Sequence, residues 1–212
     1  MQLVVTDFMS LDGVVQAPGG PDEDTDGEFA HGGWSMPFFD TTTMVPAIGE
    51  AMESAHGLLF GRRTWQSMAA AWPERAGDPF ADQMNSIDKY VVSRSLTSED
   101  MELWSNSTLL SSDDVAGAVA ALKASADGDL QVWGSAELVR YLVSEDLVDM
   151  YLLMIEPVLL GGGKRIFPDD GVARELTLLS VAQASTGVLI ASYTSHSVGP
   201  QGQQKAARPD EG

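Results

Sequence analysis

Leu58-Leu59-Phe60-Gly61-Arg62-Arg63-Thr64-Trp65 is an apolar run that breaks at a glycine and reopens as a helix with two arginines in its first turn. Glycine lets backbone and ligand approach closely, the free amides of a helix start attract anions, and guanidinium groups grip phosphate in a fork. The stretch reads as a strand feeding a phosphate cradle; the plainer alternative is a core strand followed by an exposed basic turn. Repetition favours the cradle. Two later strand ends, Val91-Val92-Ser93-Arg94 and Gln131-Val132-Trp133-Gly134-Ser135, finish in the same way, with small or basic residues where an anion would sit.

Composition limits what such a cradle can belong to. A chain of 212 residues with 44% hydrophobic content can bury one sizeable core, so we expect one domain over 1–196. Beyond it, 197–212 is glycine, glutamine, proline and charge, the composition of a disordered tail. With 31 acids against 12 bases the net charge is -19, which repels nucleic acid and anionic membrane surfaces. Bases this scarce make Arg62, Arg63 and Arg94 conspicuous. The absence of cysteine removes disulfides, thiolate catalysis and cysteine-ligated zinc. No signal-type leader precedes Leu3 and no run approaches the ~20 apolar residues of a membrane span, so a cytoplasmic protein is expected.

In chain order, Leu3 to Met9 reads as a buried strand running into a turn at Asp12-Gly13. Residues Ala17 to Glu28 are rich in glycine, proline and acid and predict a long mobile loop, a candidate lid. Trp34, Phe38 and Phe39 follow beside flexible glycines; they could stack on a planar heterocycle or fill the core. Met44, Val45, Ile48 and Met52 have a helical period, with Thr42 or Thr43 as N-cap and Asp40 just ahead, at a pocket mouth or near the positive end of the helix dipole. Later segments alternate strand and helix: the cradle helix to Ala71, a helix over 80–87, strands over 89–93 and 107–110, a helix to Lys123, a strand over 130–133 and a helix over 136–143. That alternation predicts a parallel sheet covered on both faces. At the end, 148–155, 176–182 and 188–194 are strand-like without intervening helices, and Ser185-Thr186-Gly187 turns the last two into an antiparallel hairpin.

Several signatures fail. Gly161-Gly162-Gly163-Lys164-Arg165 lacks both the leading glycine and the hydroxyl residue of a P-loop, and no Gly-x-Gly-x-x-Gly follows the first strand. His31, His56 and His196 are too scattered for a metal site, and no metal is expected. No hydroxyl residue stands in a nucleophile-elbow context.

The ordered set Ser10-Leu11-Asp12-Gly13, Gly32-Gly33-Trp34-Ser35-Met36-Pro37, Gly61-Arg62-Arg63-Thr64-Trp65, Tyr90-Val91-Val92-Ser93-Arg94, Val132-Trp133-Gly134-Ser135 and Pro157-Val158-Leu159-Leu160-Gly161-Gly162-Gly163 resembles the dihydrofolate reductase superfamily. It is most similar to the branch built like the C-terminal reductase domain of the riboflavin-biosynthesis deaminase-reductase. That resemblance implies a three-layer α/β fold with a mostly parallel central sheet and an antiparallel C-terminal hairpin. It also implies NADPH as cofactor, with Gly61, Arg62, Arg63 and Thr64 on its phosphates, Ser93 and Arg94 on the adenosine 2'-phosphate, and Gly134, Ser135 and Ala136 on the pyrophosphate. Asp12, Trp34 and Asp40 are the candidates for the substrate wall and proton supply. The chain departs from the riboflavin type at Val14, where a lysine is usual, and from folate reductases in the helix after Trp34, which offers Thr42, Thr43 and Met44 in place of an acid. The expected activity is NADPH-dependent reduction of a small pterin-like, pyrimidine-like, carbonyl or imine compound; the alternative is a catalytically silent NADP-binding protein. A homodimer through the C-terminal strands is expected, because Met150 to Ile155 is apolar at every position and both faces need cover.

Overall fold

The computed structural model describes residues 1–110 and 113–195; the expected tail over 197–212 lies outside them. Its strands are β1 (Gln2–Ser10), β2 (Ala55–Gly61), β3 (Asp88–Val92), β4 (Ser107–Leu110), β5 (Asp129–Val132), β6 (Met150–Glu156), β7 (Thr177–Gln183) and β8 (Leu189–Thr194). They form one sheet in the order β4-β3-β2-β5-β1-β6-β8-β7. From β4 to β6 every neighbour is parallel, and β8 then pairs antiparallel with both β6 and β7.

Among the described residues five α-helices cover the sheet: α1 (Met44–Glu53), α2 (Arg62–Ala71), α3 (Pro79–Ser86), α4 (Val115–Ser125) and α5 (Ala136–Ser144). On one face Leu3, Val5, Leu130 and Val132 pack against Val119 of α4 and Val139 and Leu142 of α5. Opposite, Leu58, Phe60 and Val91 pack against Met52, Trp65 and Met84 of α1 to α3. This is the three-layer α/β fold, mostly parallel with a C-terminal antiparallel pair, that the resemblance implied.

Two expectations change. β6 is apolar at both faces, but it sits inside the sheet between β1 and β8, where Tyr151 and Leu153 enter one core cluster and Leu152 and Met154 another. Its cover is therefore intramolecular, and the uncovered apolar strand is β7, at the sheet edge, where Leu178, Leu179 and Val181 are exposed. The acidic loop over 17–28 is also fastened rather than loose. Gln16 Nε2 donates to the carbonyls of Asp24 and Asp26 at 3.0 and 2.9 Å, and Lys164 Nζ reaches their carboxylates at 2.5 and 2.9 Å. Arg63 pairs with Asp26 from the other side. Two of the loop's acids thus meet two of the chain's few cations.

Candidate functional site

Parallel strands discharge their C-terminal ends on one edge of the sheet, and in open α/β folds that edge holds the ligand. Here it opens into a cavity of about 1240 Å³. Typical small-molecule sites run from about 300 to 1,000 Å³, so the space suits a dinucleotide together with a second ring.

All nine residues assigned to the cofactor line this cavity: Gly61, Arg62, Arg63 and Thr64 from the β2–α2 turn, Ser93 and Arg94 after β3, and Gly134, Ser135 and Ala136 at the β5–α5 turn. Strand order explains the convergence, since β3, β2 and β5 are adjacent. The two glycine turns touch: Gly61 N donates to the Gly134 carbonyl at 3.2 Å, and a Cβ on Gly61 would collide with the Ser135 side chain. Gly134 has φ +90°, in the left-handed region that favours glycine, and its peptide bond to Ser135 is cis.

Helices α2 and α5 both start at the cavity, and neither carries a side-chain cap, whereas α3 and α4 are capped by Asp78 and Asp114. Uncapped first-turn amides are donors awaiting an acceptor, at the positive end of the helix dipole. Around them stand three guanidinium groups in different states. Arg62 touches Gln66 at 3.2 Å, Arg63 is engaged by Asp26 and, at 3.6 Å, by Asp24, and Arg94 is exposed with no ion pair among the described residues. Ser93 is buried, its hydroxyl accepting from the amides of Ser95 and Leu96 at 3.1 and 3.0 Å, which shapes the turn that presents Arg94. Such an arrangement can hold an extended polyanion along strand ends about 5 Å apart.

Asp12, Trp34 and Asp40 are not among the residues that line the cavity. Asp40 joins the start of α1 to the β7–β8 turn: one oxygen accepts from Thr42 N and Oγ1 at 2.8 and 2.5 Å, the other from Ser185 N and Oγ at 3.0 and 2.7 Å. The Thr42 hydroxyl foremost, then that of Ser185, hold its carboxyl well below the usual range, so it stays ionised. Trp34 is buried, its indole donating to the Gln16 carbonyl at 2.7 Å. Asp12 accepts from the Ser10 hydroxyl at 2.6 Å and from the amides of Leu160 and Gly161 at 3.1 and 2.8 Å; the first of these chiefly lowers its pKa to about 2. Each serves as a fastener in this structure. No group of His, Cys, Asp and Glu among the described residues could hold a metal ion.

The model of the RibD C-terminal domain matches residues 2–190. The chain belongs to the RibD C-terminal domain family. It is 27% identical over 161 residues to the uncharacterized protein YyaP of Bacillus subtilis, covering 73% of this chain and 82% of that one. Among solved structures, a "Putative riboflavin biosynthesis protein" from Shewanella sp. PV-4 superposes with TM-score 0.70 at 20% identity, over 92% of this chain and 98% of its own. A pyrimidine reductase-like protein from Corynebacterium diphtheriae superposes with TM-score 0.60 at 14% identity, over 91% of each chain. The likeness to these two solved structures is one of fold. Two marks of the RibD C-terminal resemblance prove to be one device, because Asp12 of Ser-Leu-Asp-Gly binds the amides of Leu160 and Gly161 in Leu-Leu-Gly-Gly.

The sequence reading passed over three polar groups that bear on the site. Trp133 and Asp7 line the cavity, and Trp133 Nε1 and Asp7 Oδ2 are buried with no hydrogen-bond partner among the described residues. Glu156, which pairs with Ser10 in the β1–β6 ladder, takes one bond from the Ser35 hydroxyl at 2.8 Å, while its Oε2 has none. A signal was available: an aspartate interrupts an otherwise apolar first strand, and a buried acid without a partner is costly.

Burial pushes the Glu156 carboxyl up to about 7 from an ordinary 4.5, against the lowering effect of the Ser35 hydroxyl. A raised folded-state pKa means that the folded protein holds this proton more tightly than the unfolded chain. The stability it contributes is complete below about pH 4.5 and is lost as pH rises through about 7. Chemical denaturation of Glu156→Gln is therefore expected to show a shallower fall between these limits and, at pH 8, a stability higher than wild type by on the order of 1–3 kcal/mol. A variant less stable than wild type at pH 8 would contradict this account.

Proposed function

We propose that the protein is an NADPH-dependent reductase of a small heterocyclic, carbonyl or imine compound, acting as a single-domain cytoplasmic homodimer. The observation that carries this reading is the meeting of two uncapped helix starts and three arginines on one cavity that also has room for a second ligand. The residues fit the group: backbone amides at Arg62–Thr64 and Ala136 would take the pyrophosphate, and Arg94, exposed after β3 and without an ion pair among the described residues, the 2'-phosphate. When bound, NADPH supplies the hydride. The chain's part is to fix the two ligands, exclude water and hold a proton nearby. A catalytically silent binder would be favoured by Asp12, Trp34 and Asp40 all lying off the cavity, but Asp7 lines it and supplies the acid they do not.

Calorimetric titration tests the cofactor. Arg94→Ala is expected to weaken NADPH about tenfold or more, as befits a lost charge-assisted bond, and to leave NADH nearly unchanged. Equal losses for both cofactors would remove Arg94 from the 2'-phosphate.

The dimer reading rests on β7. An edge strand presents unpaired backbone groups, and this one adds Leu178, Leu179 and Val181, exposed by 51%, 47% and 56%. Light scattering is expected to give twice the chain mass of 22.6 kDa for wild type and the single mass for Val181→Glu. A wild-type monomer at micromolar concentration would refute it.

A further inference from the structure

The loop over 17–28 is anchored in two different ways along its length. Its base is packed: the Gly33 amide donates to the Ala17 carbonyl at 2.8 Å, the Ser35 amide to that of Pro18 at 3.1 Å, and a Cβ on Gly32 would meet the Gly20 and Pro21 carbonyl oxygens at 2.6 and 2.5 Å. Its tip, 22–28, contains no buried residue and is held by polar contacts. Glu23 Oε2 accepts from the Gly19 and Gly20 amides at 2.7 and 3.1 Å. Gln16, after β1, takes the carbonyls of Asp24 and Asp26, and Lys164, after β6, takes their carboxylates. Arg63 reaches the same two acids from the opposite side, at the end of β2, which β5 separates from β1 in the sheet. The tip is therefore a strap across the cavity, and its far end is tied to a guanidinium group of the phosphate cradle.

We propose that this acidic tip is an internal competitor for the cradle: Asp26, with Asp24 behind it, occupies Arg63 until a phosphate-bearing ligand takes its place, after which the strap is held from the Lys164 side alone. The proposal rests on the reading of the cavity as a dinucleotide site and adds the regulation of that site. A carboxylate meets a guanidinium through the same charge-assisted bonds as a phosphate oxygen, so the two compete for one group. The exchange is cheap, because the side chains of Arg63 and Asp26 are 51% and 43% exposed and such a pair contributes little. Lys164 and Asp24, at 24% and 23%, are better shielded from water, which makes theirs the tie that stays. An arriving phosphate also gains from the uncapped starts of α2 and α5, whereas a carboxylate left on Arg63 would face it as a like charge. Filling the cradle thus releases the strap over the β1 side of the cavity, where Gln16, Ala17, Pro18 and Gly19 form part of the wall.

Isothermal titration of the full chain with inorganic pyrophosphate and with NADP+, at low ionic strength, tests this together with amide hydrogen exchange. Asp26→Asn is expected to bind both anions about threefold or more tightly than wild type, since it removes both a competitor and a repulsion. Asp22→Asn removes the same charge from an exposed position on the same tip and is expected to change either affinity by less than about 1.5-fold. In wild type, saturating pyrophosphate is expected to speed exchange over 22–28 while leaving the base amides of Gly33 and Ser35 unchanged. Unchanged or weaker binding by Asp26→Asn, or an equal gain in Asp22→Asn, would overturn the proposal. Exchange over 22–28 that stays the same or slows with pyrophosphate overturns it as well, and this measurement on wild type decides alone should Asp26→Asn fail to fold. Pyrophosphate that binds no variant also overturns it. Failure of NADP+ to bind where pyrophosphate does counts against the reductase reading alone.

Discussion

The approach of Gly61 to Gly134 is the constraint on which the site depends. Neighbouring parallel strands lie about 5 Å apart, and here the β2–α2 and β5–α5 turns meet so closely that Gly61 has no room for a Cβ beside Ser135. With hydrogen at Gly61 the Ser135 turn fits against it, and the Gly61 amide closes the gap on the Gly134 carbonyl at 3.2 Å. Two helix N-termini are thereby brought to one point without a side chain covering either. A single helix start attracts an anion weakly; two that converge, with guanidinium groups beside them, can hold a polyanion. The rest of the fold supplies the sheet that sets these turns in register.

Carboxylates do unusual structural work in this acidic chain. Asp12 fastens the first turn to the glycine-rich loop after β6, Asp40 fastens α1 to the β7–β8 turn, and Asp24 and Asp26 draw their loop onto Arg63 and Lys164. Lys123 and Asp149 pair at 2.6 Å between α4 and the start of β6. The more exposed pair of Arg63 with Asp26 contributes little by itself, whereas a carboxylate accepting several backbone amides fixes geometry. Asp26 on Arg63 also places a protein carboxylate on a guanidinium group of the cradle.

Much of the fold was legible because its signals are local. Strand and helix limits followed from apolar periodicity, and the cradle from a glycine placed where a strand meets a helix. The structural partners of the acids were not legible because they are remote in sequence: Asp12 meets Gly161 across 149 residues and Asp40 meets Ser185 across 145. No spacing rule reaches that far. A carboxylate beside a loop looks the same on paper whether it faces a ligand or four hydrogen-bond donors. Asp7 was the opposite case. It reads as a polar lapse in a buried strand until the order β5-β1-β6 sets that strand next to the β5–α5 turn and so at the cavity. The β6 argument failed for a related reason, since strand order decides whether an apolar strand is an edge or an interior member.

Amide hydrogen exchange with and without NADP+ tests the central claim most directly, because the uncapped first turns of α2 and α5 are its physical content. Saturating NADP+ is predicted to slow exchange at Arg62–Thr64 and at Ala136–Leu138 together, with little change along β7 and β8. Protection at only one of the two turns, or at neither while NADP+ binds elsewhere, would contradict the account.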